Sequence, residues 1–315
     1  MKLLYLIEKI RCPILDFLFS MITHIGEETV FLALALVFFW CVSKREGYYL
    51  LIVGLVGTII NQALKLTFKI PRPWVKDPSF TIVESARAEA TGYSFPSGHT
   101  QNVAGTFGSI GRWSDKNYMR IISVVLIVLV GFSRMYLGVH TPLDVVVSLG
   151  IATILVFGLY PFFKTEERFN KFMPYVVAVS FVIALSLLLF VFLHPEEGVD
   201  ATNLASGKKN GSTLFGCTLG LIPVYFVDRK YIKFETKAPW YSQIMKLTAG
   251  LVIVLLIKSV LSSPLVSLFG NEYVARAVRY FLIVIFAGII WPLTFKFFSN
   301  LKISALDRLF KKQNG

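Results

Sequence analysis

An all-α bundle threaded repeatedly through a bilayer is the fold class this sequence predicts, and three observations carry that reading. Only 16% of the 315 residues are charged and 55% are hydrophobic, which leaves too few polar side chains to cover a water-facing globule. The mean hydropathy is +0.65. Apolar stretches recur along the whole chain, each about 20 residues long and able to cross roughly 30 Å of hydrocarbon. A soluble globular fold is excluded on these grounds.

In chain order, residues 3–22 show a helical rhythm of apolar and polar positions around Pro13, which suits a helix lying in the membrane interface. Nine spans are expected after it, at 29–43, 48–68, 98–112, 119–137, 141–162, 174–193, 212–228, 243–262 and 274–298. Charged or Pro-, Gly- and Asn-containing turns bound them. Alternate threading gathers Lys44, Arg45, Arg112, Lys116, Arg120, Lys164, Arg168, Lys171, Arg229, Lys230, Lys233, Lys237, Arg308, Lys311 and Lys312 on one side. The positive-inside rule makes that side cytoplasmic. The opposite side receives the loop 69–97, the turn 138–141, and the loop 194–211 with Glu196, Glu197, Asp200, Lys208 and Lys209. A multi-pass protein of the cell membrane is expected.

The 32 basic residues exceed the 19 acidic ones to give a net charge of +13. In short loops between spans they fix orientation and meet anionic lipid headgroups, so no nucleic-acid partner is expected. Cys12, Cys41 and Cys217 are odd in number and show neither a disulfide framework nor metal-ligand spacing. Glu8, Lys9, Arg11 and Pro13 interrupt the N-terminal apolar run and no small-residue cleavage site follows, so no removable signal peptide is expected.

Three outward segments hold ionisable residues where a bilayer makes them expensive. In the first, Lys65, Lys69 and Arg72 would share one face if the helix persisted, whereas Pro71 and Pro73 stop it and hold Arg72 extended. Taken alone, this cluster reads as helix-end anchoring by snorkelling. In the second, Ser97 and Gly98 begin a helix whose free N–H groups and dipole suit a phosphate oxygen, and His99 can transfer a proton near neutral pH. An ordinary serine cap beside a solvated histidine is the alternative. In the third, His140 and Asp144 are four apart at a helix start, so the carboxylate can fix one imidazole nitrogen and leave the other free, with Arg134 nearby. A structural ion pair is the competing reading there.

Together the segments supply the inventory for attack on a phosphoryl group. His140 is the candidate nucleophile, Asp144 its orienting carboxylate and His99 the acid for the departing oxygen. Lys65, Arg72, Ser97, Gly98 and Arg134 are the candidate phosphate ligands. Fixed cations stand where a metal would, and no cofactor or metal cluster is expected.

The runs K-x6-R-P at 65–73, P-S-G-H at 96–99 and S-R-x5-H-x3-D at 133–144 resemble, in order and spacing, the three signature motifs of the type 2 phosphatidic acid phosphatase superfamily. The resemblance covers about residues 1–165. It implies a metal-independent phosphohistidine mechanism in a helical membrane core, with the eight residues above in those roles. The leading expectation is therefore a lipid phosphatase acting at the extracytoplasmic face on an isoprenoid diphosphate or a phospholipid phosphate. A lipid phosphotransferase using the same phosphohistidine, and a non-catalytic lipid-binding or transport protein, are the alternatives. Residues 166–315 add four spans without evident chemistry; widening the lipid entrance, a homodimer contact and support of a partner all stay open.

Other polar residues read as ordinary. His24 and His194 lie near span ends with no charged partner at helical spacing, although Glu27 and Glu28 sit close to His24. Glu84, Arg87 and Glu89 suit either a lid or a solvated loop. Arg276 and Arg279 read as anchors at the outer end of the last span, with a headgroup contact as the other role.

Overall fold

In hydrocarbon every backbone N–H and C=O must be satisfied within the chain, and a helix does this with local bonds alone. The computed structural model describes residues 1–88, 90–193 and 200–301, and all regular structure among them is helical. The sequence expectations for Glu89, His194, Glu196, Glu197, Arg308, Lys311 and Lys312 lie outside the described residues.

The helices are α1 (Lys2–Glu8), α2 (Pro13–Thr23), α3 (Glu28–Val37), α4 (Lys44–Phe68), α5 (Pro73–Lys76), α6 (Gly98–Trp113), α7 (Asn117–Tyr136) and α8 (Pro142–Phe163). They continue with α9 (Glu166–Leu193), α10 (Ala201–Val227), α11 (Trp240–Val260), α12 (Ser262–Phe269), α13 (Glu272–Ile285) and α14 (Phe295–Asn300). Among the described residues, seven helical stretches are long and apolar enough to cross a membrane. They correspond to seven of the nine expected spans, and the full count of nine is not established. The expected span at 98–112 is α6, whose 16 residues reach only about 24 Å at the helical rise. The expected span at 29–43 is α3 with a wider turn at Phe38–Val42. Together with Pro13–Gly26 this segment passes as an eighth crossing bent by 49°.

The single interfacial helix expected over 3–22 is two helices. Cys12 is extended and Pro13 opens α2, as its missing N–H and fixed φ favour. On α2, Ile14, Phe17 and Met21 are exposed, as lipid-facing side chains would be.

One apolar cluster runs through both halves of the chain, from Tyr49, Ile52 and Val53 on α4 to Leu221 and Tyr225 on α10 and to Trp291 and Phe295 beyond α13. The close fit of α10 depends on glycine. A Cβ at Gly216 would lie 2.1 Å from the Ala277 carbonyl oxygen, and one at Gly207 would lie 2.7 Å from a Leu66 methyl. Small residues of this kind let backbones approach in membranes, where dispersion and not water drives association. At one end of the bundle the basic loops meet each other: Lys44 pairs with Asp228 at 2.8 Å, Arg45 with Glu166 at 3.2 Å, and Arg229 donates to the Asn170 carbonyl at 3.2 Å. The loop between α5 and α6 closes the other end. It is tied down by Val83 N–H to the Leu137 carbonyl at 3.1 Å and by Ser94 N–H to the Ile70 carbonyl at 2.8 Å.

Candidate active site

α4 stops at Phe68 because Lys69 turns left-handed, φ 49°, a conformation that non-glycine residues adopt uncommonly. The shared helical face through Lys65, Lys69 and Arg72 is therefore not formed. Arg72, between two prolines, is extended at φ −63° and ψ 154°. Its guanidinium is buried and held in a fork. Nε donates to the Gly92 carbonyl at 3.1 Å, Nη2 to the Thr91 carbonyl at 2.7 Å, and Nη1 to the Val139 carbonyl at 3.0 Å. Nη1 also lies 2.9 Å from His140 Nε2.

His140 reaches that position through the turn after α7. Gly138 has φ +81°, a left-handed conformation that favours glycine, and a Cβ there would come within 2.8 Å of Arg11 Nη2. The N–H groups of Val139 and His140 both donate to the Arg134 carbonyl at 3.2 Å. His140 is 2% exposed, and its Nδ1 lies 3.3 Å from Asp144 Oδ2. A guanidinium can only donate, so Nε2 presents its lone pair and Nδ1 carries the proton facing Asp144. Burial, followed by the charges of Arg72, Arg134 and Lys65, pushes His140 well below its ordinary 6.5. The imidazole is thus neutral at neutral pH, as a nucleophile must be.

Asp144 is placed by the start of α8. Thr141 caps the helix and Asp144 returns the bond: its Oδ2 accepts the Thr141 N–H at 2.8 Å while its own N–H donates to Thr141 Oγ1 at 3.3 Å. Ser94 Oγ donates to the same carboxylate oxygen at 2.5 Å. Three donors from two segments, His140 and Thr141 on one and Ser94 on the other, converge on this buried oxygen.

Ser97 is the N-cap of α6. Its hydroxyl oxygen accepts from Thr100 N–H at 3.4 Å and Thr100 Oγ1 at 2.9 Å, which leaves its own hydrogen to donate elsewhere. Main-chain and side-chain bonds dock the α6 terminus on α8: Ser97 N–H to the Asp144 carbonyl at 3.2 Å, and Ser148 Oγ to the Ser97 carbonyl at 2.8 Å. A Cβ on Gly98 would find its nearest neighbour 4.0 Å away, at Asn61 Oδ1, so the helix terminus stays approachable. Lys65 Nζ donates to the Tyr93 carbonyl, and Arg134, 1% exposed, donates to Thr23 Oγ1 at 2.6 Å. His99, half-buried in the first turn of α6, feels the charges of Arg134, Arg72 and Lys65.

All eight sequence-selected residues therefore gather at one end of the bundle. Arg72, His140 and Asp144 are bonded in series, Ser97 joins them through the main chain, and Lys65, Gly98, His99 and Arg134 surround them. Ser94 was not singled out, although it stands two residues before P-S-G-H. Thr23, which holds Arg134, left no signal in the sequence, because only packing brings α2 beside α7.

The structure bears on three other readings. His24 has a charged partner at helical spacing after all: Nδ1 bonds the Glu27 carboxylate across a 3₁₀ turn, whose period sets i and i+3 side chains in line. Glu84 and Arg87 pair with each other at 2.8 Å on an exposed turn. The three cysteines are free.

The chain matches the PAP2 superfamily over residues 45–168 and, over 212–303, the family described as PAP2 superfamily phosphatase, transmembrane extension. It is 30% identical over 175 residues to phosphatidylglycerophosphatase B of Bacillus subtilis, covering 51% of this chain and 82% of that protein. It is 33% identical over 137 residues to the undecaprenyl-diphosphatase BcrC of the same organism, covering 44% of this chain and 66% of the relative. With a probable sphingosine-1-phosphate phosphatase of Dictyostelium discoideum it shares 29% identity over 210 residues, covering 62% of this chain and only 50% of the relative's length. No solved structure matches. The chain belongs to the PAP2 superfamily, and it carries that family's transmembrane extension.

Proposed function

We propose that this protein is an integral-membrane lipid phosphatase that removes a terminal phosphate through a phosphohistidine at His140. The observation that carries the reading is the orientation of one imidazole, with Nδ1 facing Asp144 at 3.3 Å and Nε2 facing the Arg72 fork at 2.9 Å. The Nε2 lone pair attacks phosphorus and the bond to the lipid oxygen breaks, while His99, entering the step as an imidazolium beside the bound anionic phosphate, protonates that oxygen. Water, losing its proton to His99, then attacks phosphorus. The P–N bond breaks, inorganic phosphate leaves and His140 returns neutral. Asp144 accepts the Nδ1 hydrogen bond and keeps the ring oriented. Lys65, Arg72, Arg134, the Ser97 hydroxyl and the Gly98 N–H balance the charge on the equatorial oxygens. For attack, the Arg72 Nη1 proton moves from Nε2 to a phosphoryl oxygen.

In this reading residues 1–165 are the catalytic core and 166–315 an added helical unit. The site faces the extracytoplasmic side, since the basic loops around Lys44, Arg45 and Arg229 meet at the far end of the bundle. Isoprenoid diphosphates are the first substrate choice, followed by phosphatidylglycerol phosphate, phosphatidic acid and sphingoid phosphates. The names of the relatives include a sphingoid phosphate, a phosphatidylglycerol phosphate and an isoprenoid diphosphate. The test is phosphate release by purified protein across that panel, with His140→Ala as blank. Release from at least one lipid that is lost in the variant supports the reading, and no release from any of them overturns it.

A further inference from the structure

Three cavities adjoin one another on the side of the site where the added helices pack. The outermost is a groove of about 770 Å³ bordered by α3, α11 and α13. Its α11 wall is apolar, with Val252, Leu255 and Leu256, and its margin carries Lys258, Arg276 and Arg279 against the single carboxylate of Glu28. Glu28, Arg276 and Tyr280 also line a smaller chamber of about 150 Å³ between α4, α6, α10 and α13, which reaches Gly98 at the start of the catalytic helix. That chamber shares Gln62 and Asn210 with a cleft of about 70 Å³ whose wall includes Lys65, Thr91 and Gly92. The carbonyls of Thr91 and Gly92 hold Arg72.

The chamber is built for a polar visitor. Asn61 and Gln101 are 1% and 2% exposed, and none of their four amide atoms has a hydrogen-bond partner among the described residues. Buried amides left unpaired are costly, so a wall of them marks a place where polar cargo makes the bonds. Arg276 stands at the junction of groove and chamber, its Nε donating to Thr213 Oγ1 at 3.2 Å.

We propose that the added helices supply the access route for the lipid: its hydrocarbon chain lies in the groove beside α11 while Arg276 passes its phosphate into the chamber of Asn61 and Gln101. The inference rests on the phosphatase reading and assigns the 166–315 unit a role in it. The order of the walls matches the substrate, since an apolar tail needs the apolar outer groove and a phosphate needs the cationic margin and the amides behind it. Among the described residues three cations at the margin outnumber one carboxylate, so the route favours an anionic headgroup.

The test compares two substrates, a long-chain lipid phosphate in mixed micelles and water-soluble para-nitrophenyl phosphate, on the full-length chain and on Arg276→Ala, Arg276→Lys and Leu256→Trp. Both Arg276→Ala and Leu256→Trp should lower kcat/KM for the lipid by about tenfold more than for the soluble ester, chiefly through KM, and Arg276→Lys should recover part of the loss. Equal losses on both substrates, or no loss on the lipid, overturn the proposal. Hydrolysis of neither substrate by the unaltered chain removes the phosphatase reading and this proposal with it. Turnover of both by the unaltered chain, with losses in the variants that ignore the lipid tail, removes the route alone.

Discussion

Both ends of this bundle collect positive charge, and they treat it in opposite ways. At the loop end distant from the site, Lys44 meets Asp228 at 2.8 Å and Arg45 meets Glu166 at 3.2 Å, so carboxylates neutralise the cations. At the site end, Arg72 is bonded to three main-chain carbonyls and a histidine, Lys65 to a carbonyl, and Arg134 to a hydroxyl. For Arg72 and Lys65 these neutral acceptors fix the geometry without cancelling the charge. Asp144, the carboxylate among them, is engaged with His140, Ser94 and the Thr141 N–H. Fixed cations held by neutral acceptors in a desolvated place suit an anion, whereas cations paired with carboxylates form a structural tie.

That contrast can be broken most severely at His140. His140→Ala should lower turnover by about ten-thousandfold or more, measured as phosphate release, because the proposed covalent intermediate forms on its Nε2. Arg72→Lys keeps the charge and loses the fork, and should cost about a hundredfold to a thousandfold in kcat. Ser94→Ala removes one of the donors on Asp144, and about tenfold loss of kcat with little change in KM is expected. At the opposite end, Lys44→Ala removes the Asp228 pair and a contact 3.8 Å from the Phe234 ring. It should cost only about 1 kcal/mol of stability, seen as a small drop in thermal midpoint with kcat unchanged. A large kinetic effect of Lys44→Ala would erase the distinction between the two ends.

Much of the site end was legible because its chemistry is local. His140 and Asp144 sit one helical turn apart, Ser97 and Gly98 announce a helix start, and two prolines hold Arg72 extended, so short-range geometry placed each of them. What escaped depends on long-range folding. The carbonyls of Thr91, Gly92 and Val139 hold Arg72 only because the loop before α6 folds back over the turn after α7. Asn61 and Gln101 lie inside predicted spans, and which way they face is settled by how α10 and α13 pack. The span count was harder to read for a related reason: α6 carries a polar face toward the site and is short, so hydropathy and length give a weak signal there, and Pro13 divides the N-terminal segment that periodicity joined.

The most direct measurement is chemical capture of the intermediate. Purified protein is mixed briefly with radiolabelled lipid phosphate, quenched in alkali and mapped by peptide. Label that survives base, is released by acid and resides on the peptide containing His140 in the unaltered chain, absent from His140→Ala, is the predicted result. Turnover that proceeds with no label on His140, or with label on another residue, would contradict the account.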